Sequence, residues 1–144
     1  MPTKTLKEEV TASGHGNIEA THPTTLEITK EKRLSRRGDC IIAVGTDKSL
    51  ADLSDEFKES LRKPNAKLTL TIEVNGITEQ INAHGSPDLI LAHPSDMVVR
   101  KSSYVDDRTL AVNADKAARD LSRELVEKLQ NSKQKARITL RVAY

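Results

Sequence analysis

The chain carries one pattern twice, and this repeat constrains the fold more than any other feature of the sequence. Residues 43–74, AVGTDKSLADLSDEFKESLRKPNAKLTLTIEV, lie over residues 111–142, AVNADKAARDLSRELVEKLQNSKQKARITLRV, without a gap and with identity at 13 of 32 positions. Average composition gives only about two such matches. Upstream, residues 6–30 lie over 77–101 and pair Glu8 with Glu79, Gly14 with Gly85, His22 with His93, Pro23 with Pro94 and Lys30 with Lys101. The two offsets, 68 and 71, differ by three residues. That difference falls in one loop, residues 31–38 in the first copy and 102–106 in the second. The 144 residues therefore read as two repeats, 6–74 and 77–142.

Each repeat reads as strand, strand, strand, helix, strand. Period-two alternation places strands at 6–12 and 77–83. A His-Pro pair precedes strands at 24–29 and 95–100, and Pro suits a strand start because it has no N–H to give to the ladder. The run CIIAV at 40–44, with its mate at 108–112, reads as a buried strand. Leu50, Leu53, Phe57 and Leu61 recur at helical spacing, as do Ala118, Leu121, Leu125 and Leu129. This spacing predicts helices over 48–63 and 116–131, with Asp47 and Asp115 as N-caps. A last strand follows at 67–74, with its mate ending at Val142. Asn75-Gly76 joins the repeats as a two-residue hairpin, since both residues tolerate positive φ. A hairpin across the junction predicts one domain over 1–144 with two intertwined repeats and a shared core. Symmetry then pairs the first strand with the last. The expected fold is α+β and β-rich, an eight-stranded barrel or sandwich with two helices.

Composition narrows the function. Lys plus Arg is 23 against 21 Asp plus Glu, so bulk charge does not mark a polyanion binder, although a local patch is compatible with this balance. A single cysteine, Cys40, excludes an intrachain disulfide and a Cys-rich zinc site, and reads as a small buried hydrophobe. No apolar run reaches transmembrane length, and the first residues lack an apolar signal core, so a cytoplasmic protein without membrane contact is expected. Phe57, Tyr104 and Tyr144 are the only aromatics, which leaves little for base stacking.

The segments HPTTLEITKEK, RGDCIIAVGTDK, HPSDMVVRKS and DDRTLAVNADKAARDL together resemble an archaeal family catalogued as a domain of unknown function. The resemblance covers nearly the whole chain. It implies a β-rich, sandwich- or barrel-like single domain of archaeal type. It implies no activity.

Two function classes follow from the residues. The first is a binding module for an anionic partner, RNA or a phosphorylated small molecule. Lys30, Lys32, Arg33, Arg36 and Arg37 against Glu31 give the longer loop +4 over residues 30–37. Arg100 and Lys101 add to this set. Lys48 and Lys116 stand where they oppose a helix macrodipole in both repeats, which asks for an anion or a carboxylate partner. The second class is a small enzyme, with His22, His93, Asp39 and Asp107 as acid–base or metal candidates at the pseudo-two-fold. The plainer role for His22 and His93 is to hold the turn before a Pro-started strand. No spacing of the HxH or HExxH kind is present, and the sequence names no cofactor and no oligomeric state.

Overall fold

A computed structural model describes residues 4–34 and 38–144. Its elements are β1 (Thr5–Ser13), β2 (Thr25–Thr29), β3 (Ile41–Ala43), α1 (Asp55–Leu61), β4 (Lys67–Val74), β5 (Ile77–His84), β6 (Asp96–Arg100), β7 (Thr109–Ala111), α2 (Arg123–Leu129) and β8 (Lys135–Ala143). Short 3₁₀ turns at Leu50–Asp52 and Ala118–Asp120 precede the helices. The second six elements thus follow the order of the first six.

The strands form two four-stranded sheets, in the orders β1-β8-β4-β5 and β3-β2-β6-β7. In the first sheet all pairings are antiparallel. β8 lies between β1 and β4, so the first and last strands pair, and Lys4 and Tyr144 exchange backbone hydrogen bonds of 2.9 Å. The β4–β5 hairpin turns at Asn75 and Gly76, with φ of +49° and +82°, the pair of positive values that a tight hairpin requires. In the second sheet the central β2–β6 pair is antiparallel, but β2–β3 and β6–β7 are parallel. The basic segment after β2 is therefore a crossover connection and not a hairpin loop.

The sheets do not close into a barrel. β3 and β7 are three residues long, and they meet the ends of β1 and β5 through single bridges, Ser13 with Val44 and His84 with Val112. Both sheets and both helices contribute to one buried cluster, from Val10, Leu26, Ile28 and Phe57 to Leu70, Met97, Leu125, Ile138 and Leu140. α1 packs on β1 and β8, whereas α2 packs on β4. Each helix thus leans on the closing strand of the opposite half.

The helices are shorter than their apolar spacing predicts. Leu53 and Leu121 are extended, with ψ of 146° in each case, and break the helical run. α1 and α2 begin after them, capped by Ser54 and Ser122, whose hydroxyls accept from Phe57 N and Leu125 N. Asp47 and Asp115 are not helix caps. Their carboxylates accept the backbone N–H of Thr11 and Asn82 at 2.9 Å, and their own N–H groups bond back to the same residues. They occupy outward-facing backbone groups of β1 and β5, which are sheet edges in need of cover.

Gly14 and Gly85 let the chain pass over the helix C-termini. His15 N and Ser86 N bond the carbonyls of Leu129 and Leu61, and a Cβ on Gly14 or Gly85 would overlap those same oxygens. Gly14→Ala is expected to cost about 2 kcal/mol or more in a urea melt, because backbone must shift. Gly16→Ala, where the nearest atom is 4.0 Å away, is expected to stay within about 0.5 kcal/mol of the parent.

Candidate anion-binding site

Most of the charged residues singled out in the sequence are occupied. Lys48 Nζ lies 3.0 Å from Glu8 Oε1, and Lys116 Nζ lies 3.3 Å from Glu79 Oε2. The same carboxylates accept from Ser54 N and Ser122 N at 2.8 and 2.9 Å. Each glutamate thus caps a helix with one oxygen and holds its lysine with the other. The partner that these lysines require is supplied by a carboxylate of the protein. Lys101 is likewise 2.6 Å from Asp120, as Lys30 is from Asp52. Arg100 pairs with Asp106 at 3.0 Å, donates to Thr109 Oγ1 and lies 5.0 Å over the ring of Tyr104.

These pairings set the acid limb of stability. Burial pushes the Glu8 carboxyl up, but the Ser54 N–H and Lys48 outweigh it and hold the pKa below the ordinary value. A carboxyl depressed in the fold contributes stability that is complete above its unfolded pKa and drains away as pH falls through its folded one. The lysine beside Asp52, then the Ser49 N–H, lowers that carboxyl, and Lys101 with the Ala117 N–H does the same for Asp120. Glu8→Gln is expected to lose about 1–2 kcal/mol at neutral pH, the size of a lost cap and charged hydrogen bond. Urea melts of both proteins at pH 7 and pH 3 check this, with the gap shrinking at the lower pH as Glu8 itself protonates.

The histidine candidates do not meet. In the β2–β6 register Thr29 faces Asp96 and Thr25 faces Arg100, so the two strand starts lie at opposite ends of the pair. His22 Nδ1 accepts from Thr25 N at 3.1 Å, and His93 Nδ1 from Asp96 N at 3.0 Å. Each histidine holds the turn into its own strand. The Asp39 carbonyl accepts from the N–H groups of Thr21 and His22, which brings Asp39 beside His22 alone. Asp107 is exposed, and among the described residues no backbone bond ties it to His93. No group of three or more His, Cys, Asp or Glu there is placed to hold a metal ion.

A polar cluster that the sequence did not announce lies on β2 and β6. Glu27, 4% exposed, pairs with Arg108, whose Nε is also 3.1 Å from Asp96 Oδ2 without hydrogen-bond alignment. Thr29 Oγ1 donates to Asp96 Oδ1 at 2.8 Å. Burial, then the charge of Asp96, pushes the Glu27 carboxyl up against the pull of Arg108. Burial, then Glu27, pushes the Cys40 thiol to about 11, so it is a thiol and no nucleophile at neutral pH. The counterparts of Glu27 and Cys40 are Val98 and Arg108. The cluster is a clamp between the halves whose charges answer one another.

A cationic concavity lies at the end of β1. A cavity of about 400 Å³ is lined by Ser13, His15, Lys32, Ser132 and Lys135, with Gly14, Val44 and Gly45 as its smaller walls. Its volume is that of a small-ligand pocket. None of these residues is acidic. Asn17 N donates to His15 Nδ1 at 2.9 Å, which leaves Nε2 as the N–H of the neutral ring. Lys135 Nζ donates to Ser13 Oγ at 3.1 Å. Leu129 O, at the end of α2, accepts from His15 N–H. Lys32 comes from the longer basic segment and lies against Gly45, at φ +61°. Arg33 is exposed beside it, and Arg36 and Arg37 lie outside the described residues. Lys135 was not among the residues singled out, because it reads as an ordinary surface position at a strand start.

One antiparallel and one mixed sheet over a shared core, with two short helices, define an α+β protein. The chain belongs to the family described as domain of unknown function DUF371, whose model matches residues 10–143. It is 53% identical over 125 residues to an uncharacterized protein of Methanocaldococcus jannaschii, a match that covers 87% of this chain and 92% of that relative. No helix among the described residues is long and apolar enough to cross a membrane.

Proposed function

We propose that this protein is a binding module for phosphate-bearing ligands, held in the cavity of Lys32, His15 and Lys135. The observation that carries this reading is the convergence of two lysines, an imidazole and two hydroxyls on one concavity without a carboxylate. Ammonium-to-phosphate hydrogen bonds are charge-assisted and stronger than neutral ones. An acid–base centre at the pseudo-two-fold is less well supported, since His22 and His93 sit at opposite ends of the β2–β6 pair.

We read residues 1–144 as a single domain that arose by internal duplication, with binding confined to one copy's corner. Ala20 and Leu91, 71 apart, share positive φ of 51° and 56°, and Gly45 and Asn113, 68 apart, share 61° and 52°. Such values strain a side-chain-bearing residue, so their recurrence at matching positions favours common descent. Several of the residues that line the cavity are not repeated in the other half. Ser13, His15 and Ser132 face His84, Ser86 and Pro64 in the alignment, and Lys32 lies in the segment that is longer in the first half.

Calorimetric titration with inorganic pyrophosphate tests this reading. Lys32→Ala and Lys135→Ala are each expected to weaken binding about tenfold, the loss of one charged hydrogen bond. Lys67→Ala, the counterpart of Lys135, is expected to leave it unchanged. Failure of the parent to bind at millimolar pyrophosphate, or an equal loss in Lys67→Ala, contradicts the proposal.

A further inference from the structure

We infer that the phosphates this corner takes belong to a single strand of nucleic acid, which leaves the cavity and runs along β8. This rests on the cavity reading above and extends it. The outer face of the first sheet differs between the halves. On β8 the outward positions are Lys135, Arg137, Thr139 and Arg141, and their counterparts on β4 are Lys67, Thr69, Thr71 and Glu73. One strand carries three cations and no carboxylate, and the other one cation and one carboxylate.

The placement makes these cations a track. β8 is interior to its sheet, with β1 and β4 on either side. Alternate residues on one face stand about 7 Å apart, so Lys135 to Arg141 spans roughly 20 Å. Lys135 lines the cavity and also an adjoining depression of about 340 Å³, where Arg137 stands with Thr11, Asn75 and the carboxylate of Glu73. The far end of the track opens on a third depression, of about 230 Å³, where Arg141 meets Thr69, Thr71, Thr139 and Gln80. These hydroxyls and the amide suit sugar and phosphate oxygens.

The cations are free to bind. Among the described residues no carboxylate lies within ion-pair distance of Lys135, Arg137 or Arg141. Glu73 faces Arg137 in register without forming an ion pair, and Glu9 is 3.6 Å from Lys7. A single row of charge fits one phosphate backbone better than the two of a duplex. None of the outward positions on β1, β4, β5 or β8 between Thr5 and Ala143 is Phe, Tyr or Trp, so the backbone is held and the bases are not stacked.

Fluorescence anisotropy with a labelled twelve-nucleotide oligouridylate tests the track. Four contacts, Lys32, Lys135, Arg137 and Arg141, predict a slope of log affinity on log salt of about −2.8 for a single strand. The double variant R137T/R141E writes the β4 residues into β8, where the same strand geometry already accommodates them. It is expected to bind the oligonucleotide at least about 30-fold more weakly and to lose about 1.4 from the slope, with pyrophosphate affinity unchanged. R137Q/R141Q, which only removes charge, is expected to lose affinity in the same direction. An oligonucleotide affinity unmoved by both variants, or a blunt duplex bound as tightly as the single strand, overturns the track. Pyrophosphate binding without oligonucleotide binding also overturns it and leaves the cavity reading standing. Binding of neither overturns both.

Discussion

The pairing of β8 with β1 is the constraint on which the rest depends. β8 is the closing strand of the second half, yet it lies between β1 and β4 and bonds to both. Neither half can satisfy its own edge. α1 packs on β1 and β8, so the first half's helix has no complete floor without the second half's strand. Apolar area on the inward positions of β8, at Ala136, Ile138, Leu140 and Val142, is removed from water only by elements of both halves. This shared burial supplies the main stabilisation, and the polar braces set its geometry. Glu8 and Glu79 are the chief braces. Each stands on an edge strand, caps a helix and neutralises a lysine, so strand, helix and the 3₁₀ turn between them are tied at one carboxylate.

Much of this was legible in the residues. Alternation marked β4, whose bounds agree with expectation, and Asn75-Gly76 marked the hairpin. The predicted pairing of first and last strands follows from applying the repeat to that hairpin. Two features were not legible. The helix starts were misplaced because Leu50 and Leu53 keep helical spacing through a 3₁₀ turn, whose three-residue period imitates the α pattern over one turn. The better signal was Ser54 followed by Asp55 and Glu56, a capping residue with an acidic first turn. The barrel failed because short strands with long connections carry no record of parallel pairing. β3 and β7 read the same whether they return as a hairpin or cross over.

The site was legible in part. Lys32 was singled out from a run of like charge, and it does line the cavity. Lys48, Lys116 and Lys101 were singled out by the same logic and are held by carboxylates far away in sequence, which no local pattern reveals, while Arg100 is held by Asp106 of the loop that follows it. Conversely, His15 and Lys135 were not among the candidates, because His15 lies over Ser86 in the alignment and Lys135 reads as an ordinary surface position. They meet only because Gly14 lets the chain after β1 cross the end of α2. The two halves agree where the core and braces require it and differ on one corner and one face. Residues that the fold needs at both places recur, whereas Ser132, Arg137 and Arg141 lie over Pro64, Thr69 and Glu73, and Lys32 lies in the longer loop.

That division between a shared scaffold and a one-sided surface is the central claim, and it can be read directly. Backbone amide shifts recorded by NMR during titration with the oligouridylate locate the surface without altering the protein. The account predicts shifts at Gly14, His15 and Gly45, along Lys135–Ala143 and at Thr69 and Thr71 beside Arg141, with the counterparts Gly85, Ser86 and Asn113 left in place. Shifts spread equally over both halves, or centred on His22, His93 and Glu27, would contradict it.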